Sequence, residues 1–344
     1  MPITAKAVFL KAYPEGSPSP DLFEVRDVVV PDPQDGQVLL RTVWMSVDPY
    51  MRGRMNPHIK SYIPPFALDE PLNGGAVSEV VESRHAGFSK GEYVVAFSGG
   101  WQEYHLAKAD DLQKVDPNIA PLSTYLGILG MPGLTAWSGL TQIIAPEKGE
   151  TLFVSGAAGA VGSLVCQLGK QKGMRVIGSA GSAEKCAWLE AEGGCDVALN
   201  YKDYPNSGAL TKALGAAAPK GVDGYFENVG GDHLEAALNC IGFGGRIALC
   251  GMIAVYNNTK PAPGPSNLTN MIGRGVKAQG FIVSNYSHLA PQFISEVAPL
   301  VANGTVKFRE SVYEGLDVAP EAFIGLFKGE NFGKAVVRIG PDSA

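Results

Sequence analysis

The sequence is short of charge, and the shortage is uneven. Charged residues make up 18% of its 344 positions, Asp and Glu outnumber Lys and Arg by 34 to 28, and the net charge is -6 with five histidines neutral. No run of Lys or Arg stands out, which argues against nucleic acid or an anionic membrane as the main partner. From Pro117 to Pro146 there is no charged residue at all. The stretch LGILGMPGLTAWSGLTQIIA within it is as long as a membrane span, yet it carries Pro132, four glycines and several hydroxyl or amide side chains. A pair of buried helices at a domain junction is expected there instead. The N-terminal MPITAKAVFLKAYPEG holds too short an apolar run for a secretory signal.

Cysteine and histidine are scarce as well. The first 165 residues contain no cysteine; the five present are Cys166, Cys186, Cys195, Cys240 and Cys250. Their number is odd and none form CxxC, so free thiols in a reducing compartment, the cytoplasm, are expected. His58, His85, His105, His233 and His288 are scattered without ligand spacing, which gives no catalytic zinc site. GxSxG and a phosphate-loop lysine are also missing, so acyl transfer and ATP chemistry find no support.

Regular patterning is what the chain does have. Up to about Asp116, segments such as VLLRTVWMSV, AVSEVVES and EYVVAF read as strands punctuated by Pro and Gly. From Thr151 the pattern alternates: TLFVS, RVIGSA, DVALNY, GYFENV, RIALCG and KAQGFIV read as strands, with helices such as SAEKCAWLEAEG and DHLEAALNCIG between them. That alternation predicts an α/β fold, a doubly wound parallel Rossmann sheet beside a β-rich domain. The β-rich domain is expected over residues 1–120, joined by the tail 300–344, and the dinucleotide-binding domain over 121–299.

The segment LFVSGAAGAVGSLVCQLGK opens the first strand–helix unit. Its glycines suit a nucleotide pyrophosphate, because they let the chain turn tightly, let phosphate approach the amides and let helix pack on strand. The six-residue dinucleotide fingerprint maps onto Ala157, Gly159 and Gly162, with Gly156 supplying the turn. A strand before, a helix after and further units beyond provide the context this motif needs. An NAD-binding fold places an acid about 20 residues on, at the ribose. Here no acid occurs between Gly162 and Glu184, while Lys185 follows Gly181. The missing acid and the nearby base favour NADP over NAD.

SVDPYMRGRM, GMPGLTAWSGL, VSGAAGAVGSLVCQLGK, GSAGSAEKCAWL, FENVGG, LCGMIAVYN and GENFGKAVV together resemble the zinc-independent medium-chain dehydrogenase/reductases, and more narrowly their alkenal/one double-bond reductases and prostaglandin reductases. Metal-dependent relatives carry a zinc-ligating Cys near WMSVDPY and a His-Glu pair near PLNGGAVSE; neither is present. The resemblance implies that the β-rich domain is GroES-like and that NADPH is the cofactor. It implies that Ala158, Gly159, Ala160 and Val161 surround the pyrophosphate. Gly181, Lys185 and Tyr201 would surround the 2′-phosphate, with Asn228, Cys250 and Tyr256 beside the cofactor. Phe281, Ile282 and Val283 would line the nicotinamide, Asn331 would reach the cofactor from the tail, and Pro49 and Tyr50 would close the cleft. The implied reaction is reduction of the C=C bond of an α,β-unsaturated aldehyde or ketone, with hydride reaching the β-carbon, Tyr256 and then Tyr50 being the donors to the enolate oxygen. A quinone reductase of the same superfamily and a non-catalytic NADPH-binding protein stay as alternatives. The family also implies a homodimer.

Overall fold

In the computed structural model, which describes residues 1–342, the chain divides into two compact units: Met1–Leu126 with Glu310–Ala344, and Gly127–Arg309. In the first unit, β1 (Ile3–Leu10) and β2 (Phe23–Val30) pair antiparallel along their whole length. β3 (Gln37–Ser46) is followed by a single helical turn, α1 (Met51–Arg54), and then by β4 (Gly74–Ser83), β5 (Tyr93–Gly99), β6 (Tyr104–Lys108) and β7 (Gln113–Val115). The unit's interior is aromatic: Trp101 is fully buried, stacked on Phe23 with ring centroids 6.0 Å apart and met edge-on by Phe323. Offset and edge-on contacts of this kind add to the burial of the rings.

The charge-free stretch becomes one short turn and one helix, where the sequence led us to expect two helices. Leu122–Leu126 is a 3₁₀ turn, and α2 (Met131–Ser138) runs on as a π-helical turn over Gly139–Ile144. Pro132 lies in the first turn of α2, where its missing N–H costs no hydrogen bond. The end is set by Ala145, left-handed at φ 47° just before Pro146. Among the described residues no helix is long and apolar enough to cross a membrane.

The second unit then alternates: β8 (Thr151–Val154), α3 (Gly162–Gln171), β9 (Arg175–Ala180), α4 (Ala183–Ala191), β10 (Val197–Asn200), α5 (Ser207–Ala217), β11 (Val222–Glu227), α6 (Asp232–Cys240), β12 (Ile241–Leu249), α7 (Thr269–Arg274), β13 (Lys277–Gly280) and α8 (Ala290–Ala302). All six strands are parallel, in the order β10-β9-β8-β11-β12-β13. That is the order of a doubly wound nucleotide-binding sheet, reversing between β8 and β11. The tail supplies β14 (Glu310–Glu314), α9 (Ala319–Lys328) and β15 (Lys334–Arg338), and its two strands complete the first unit's sheet, in the order β14-β15-β3-β4-β5-β7 with β6 also on β3.

Candidate active site

Parallel pairing brings the strand ends close together, with β9 running two residues past the end of β8. Asn200 pairs Ala180, Phe226 pairs Val154, and Glu227 and Gly280 both pair Leu249. The next residue along each strand is Tyr201, Gly181, Ser155, Asn228, Cys250 or Phe281. Five of these six are candidates from the sequence, so the sheet gathers Tyr201, Gly181, Asn228, Cys250 and Phe281 along its carboxyl edge, where open α/β sheets bind ligands.

At the switch point the glycine turn leaves β8. Gly156 is left-handed at φ 60°, and a Cβ on Gly162 would lie 2.4 Å from Gly156 O, so α3 can start this close to the strand only with glycine there. α3 begins at Gly162, with Val161 as its N-cap. The amides of Ala157, Gly159 and Ser163 donate to Ser179 O, Gly156 O and Gly159 O. Among the described residues, those of Ala158, Ala160 and Val161 donate to no backbone carbonyl. These three lie at a helix N-terminus, where a pyrophosphate would find its donors.

A carboxylate that the sequence reading passed over holds the neighbouring turn. Glu227 is fully buried at the end of β11. Its Oε1 accepts from Ser155 Oγ at 2.8 Å, Val229 N at 2.6 Å and Gly230 N at 2.8 Å. Asn228 donates its amide N–H to Ser155 Oγ at 2.9 Å and its side-chain amide to Ser155 O at 2.7 Å. The ends of β8 and β11 are thereby locked together. Burial raises the Glu227 carboxyl above the usual range, while those donors pull it back down. An acid inside the apolar run GYFENV was the available signal.

The other end of the edge carries a basic corner. A Cβ on Gly181 would lie 2.9 Å from Tyr201 Oη, so the phenol rests directly against that glycine. Ser182 caps α4 by accepting from the Lys185 amide at 3.3 Å. Burial and the Lys202 ammonium both lower the Lys185 ammonium, and Glu184 partly offsets them. Two mutually repelling cations beside an acid-free strand end suit a dianion.

Toward β12 and β13 the edge becomes apolar. Burial and the charge of Glu227 push the Cys250 thiol up to about 12, so it stays a neutral wall residue instead of a nucleophile. Tyr256, half-buried, accepts at Oη from Met252 N at 3.2 Å and keeps its own O–H to donate. Burial, opposed by that bond, raises its pKa. Phe281 meets Phe226 and Tyr286 edge-on at 6.2 and 6.1 Å, followed by half-buried Ile282 and Val283.

In the first unit the candidates are Pro49, Tyr50 and Asn331. Pro49 and Tyr50 lead into α1, and burial and Asp48 raise the Tyr50 phenol strongly. The segment is pinned from below. Asp48 accepts from Ser46 Oγ and pairs with buried Lys334, whose Nζ lies 3.1 Å from Asp48 Oδ1 and donates to Val47 O at 2.9 Å. Buried Arg54 donates to Pro64 O and Asn73 O and stacks on Phe66 at 3.9 Å. Asn331 donates to Gly333 O at 2.9 Å in the turn before β15. Among the described residues, no three His, Cys, Asp or Glu side chains cluster so as to hold a metal.

Residues 6–115 match the family described as the N-terminal domain of oxidoreductase, and residues 160–302 the one described as zinc-binding dehydrogenase. The chain is 43% identical to the NADPH-dependent curcumin reductase of Escherichia coli K12, over 97% of this chain and 96% of that protein. It is 42% identical to the 2-alkenal reductase (NADP(+)-dependent) of Nicotiana tabacum, over 98% of each. The crystal structure of CurA in complex with NADPH from Vibrio vulnificus superposes with a TM-score of 0.91 at 40% identity, covering 98% of this chain and 100% of that one.

Proposed function

This chain belongs to the zinc-independent medium-chain dehydrogenase/reductases, in their alkenal/double-bond reductase subgroup, and from that membership we propose that it reduces the C=C bond of α,β-unsaturated aldehydes or ketones with NADPH. The observation that carries the cofactor is the corner of Gly181, Lys185 and Tyr201, with Lys202 beside it and no acid at the end of β9. The amides of Ala158, Ala160 and Val161 fit a pyrophosphate, and half-buried Phe281, Ile282 and Val283 fit the flat face of a nicotinamide. When bound, the reduced nicotinamide supplies the hydride that reaches the substrate's β-carbon.

The chain's own part is to stabilise the charge that then builds on the carbonyl oxygen. A donor already in place is worth most there. Tyr256 fits: Met252 N–H fixes its oxygen, and its raised pKa keeps the phenol protonated at neutral pH. Tyr50, also held protonated, is the second candidate, and the neutral Cys250 thiol adds no competing charge. The assay is NADPH oxidation against enals, enones and 1,4-quinones. Turnover highest on enals or enones supports the reading, quinones as the sole good substrates would replace it with a quinone reductase, and binding without turnover would leave a nucleotide-binding protein.

Reduction of an enone needs a hydrogen bond at oxygen and no Lewis acid, and the segments WMSVDPY and PLNGGAVSE lack the cysteine and histidine that a zinc site would need. Activity after prolonged chelation is therefore expected to match the untreated enzyme. Inactivation that zinc reverses would overturn this.

A homodimer and a cytoplasmic setting belong to the same proposal. All four residues of β13, at the sheet edge, are exposed, and Phe243 and Ile272 are 87% and 85% exposed. An open edge flanked by apolar side chains invites a second copy. Sedimentation equilibrium should give twice the chain mass of 36.2 kDa, and a single-chain mass would refute the dimer. Five free thiols suit a reducing cytoplasm.

A further inference from the structure

His233 lies in the first turn of α6 and is 4% exposed. Its Nε2 is 2.7 Å from Ser179 Oγ, a hydroxyl on β9 with no exposure. Burial lowers its pKa to about 4, so the ring is neutral near pH 7. The imidazole meets the Tyr201 ring edge-on, centroids 5.2 Å apart at 72°. Tyr201 in turn rests its hydroxyl against Gly181, two residues beyond Ser179 and just past the end of β9. The four residues close a loop from β9 through α6 and the end of β10 back to β9. A core position filled only for packing would use an apolar pair here, because each buried polar atom without its partner costs free energy. The pair instead fixes the imidazole's rotation, and with it the plane of the tyrosine ring.

We propose that His233, oriented by Ser179, is a positioning residue for cofactor selectivity: it holds the Tyr201 ring over Gly181, where the ring walls the site of the nucleotide's 2′-phosphate. The inference rests on the NADPH reading of this corner. It deepens that reading by naming a residue that sets discrimination without touching the phosphate.

The test is calorimetric titration of the full-length protein with 2′,5′-ADP and with 5′-AMP, which differ only in the 2′-phosphate. His233→Leu is expected to weaken 2′,5′-ADP by about 3- to 10-fold, the range of an aromatic edge contact, and to leave 5′-AMP within about twofold. In a Tyr201→Ala background the same change should have no further effect, since coupled residues are not additive. Ser179→Ala, a milder variant that keeps the ring but frees its rotation, should shift the same ratio in the same direction. Equal loss for both ligands, an unchanged ratio, or full additivity with Tyr201→Ala would overturn the inference. Lys185→Ala separates the two levels. If it selectively loses 2′,5′-ADP while His233→Leu does not, the phosphate site stands and the role of His233 falls. If neither variant is selective, the phosphate reading falls with it.

Discussion

Tyr256→Phe is expected to lower kcat on the best enone by about 10- to 1000-fold and to leave NADPH affinity within about twofold, because one donor to a developing oxyanion contributes up to about 4 kcal/mol and that contact strengthens mainly in the transition state. The substitution removes one oxygen and little shape. The lone pair that accepts from Met252 N–H is lost with it, but that amide sits in a half-exposed loop where water can replace the bond. Burial raises the Tyr256 pKa, so the phenol keeps its proton to a higher pH than an exposed tyrosine. Any alkaline fall in kcat that it causes must therefore lie above pH of about 10, the ordinary value. Steady-state kinetics of the variant across pH checks both statements. Wild-type kcat and kcat/KM in Tyr256→Phe would reject the role and pass it to Tyr50, through Tyr50→Phe.

Lys185→Ala is expected to raise the Michaelis constant for NADPH by about tenfold and to leave that for NADH nearly unchanged. A charge-assisted bond to phosphate is worth roughly 1.5–3 kcal/mol, and the lower end applies because the ammonium is only partly buried. In the free protein Lys185 and Lys202 repel each other, and a dianion between them would relieve that repulsion as well as accept hydrogen bonds from both. The effect should shrink as salt rises, since half-exposed charges are screened. Parallel titrations with NADPH and NADH at two ionic strengths measure it. An equal rise for both cofactors would remove Lys185 from the phosphate site.

The nucleotide-binding half was legible because its logic is local. Strand–turn–helix units repeat along the chain, and Gly156, Gly162, Gly181 and Lys185 each sit at a fixed offset from a strand that can be read from its own residues. The charge-free stretch misled, because an apolar run with Gly127, Gly130 and Pro132 shows that the chain is buried without showing where helix starts. The supporting polar groups were out of reach for another reason. Ser155 and Glu227 are 72 positions apart, and Ser179 and His233 are 54 apart. They meet only once the parallel sheet has assembled, so no spacing rule reveals them. The Asp48–Lys334 pair is 286 positions apart.

That pair has a consequence for how the protein is made. The unit Gly127–Arg309 is one continuous piece of chain, whereas the unit that holds Tyr50 is split and takes its last strands from Glu310 onward. As the chain leaves the ribosome, the piece synthesised first is therefore completed last. Until Lys334 emerges, β3 has no β15 beside it and the Asp48 carboxylate lacks its buried partner. An unpaired buried charge of this kind costs about 3–5 kcal/mol, a large share of a domain's stability. The loop that carries Tyr50 is thus set only once Lys334 has been made, although its own residues are among the first to be synthesised.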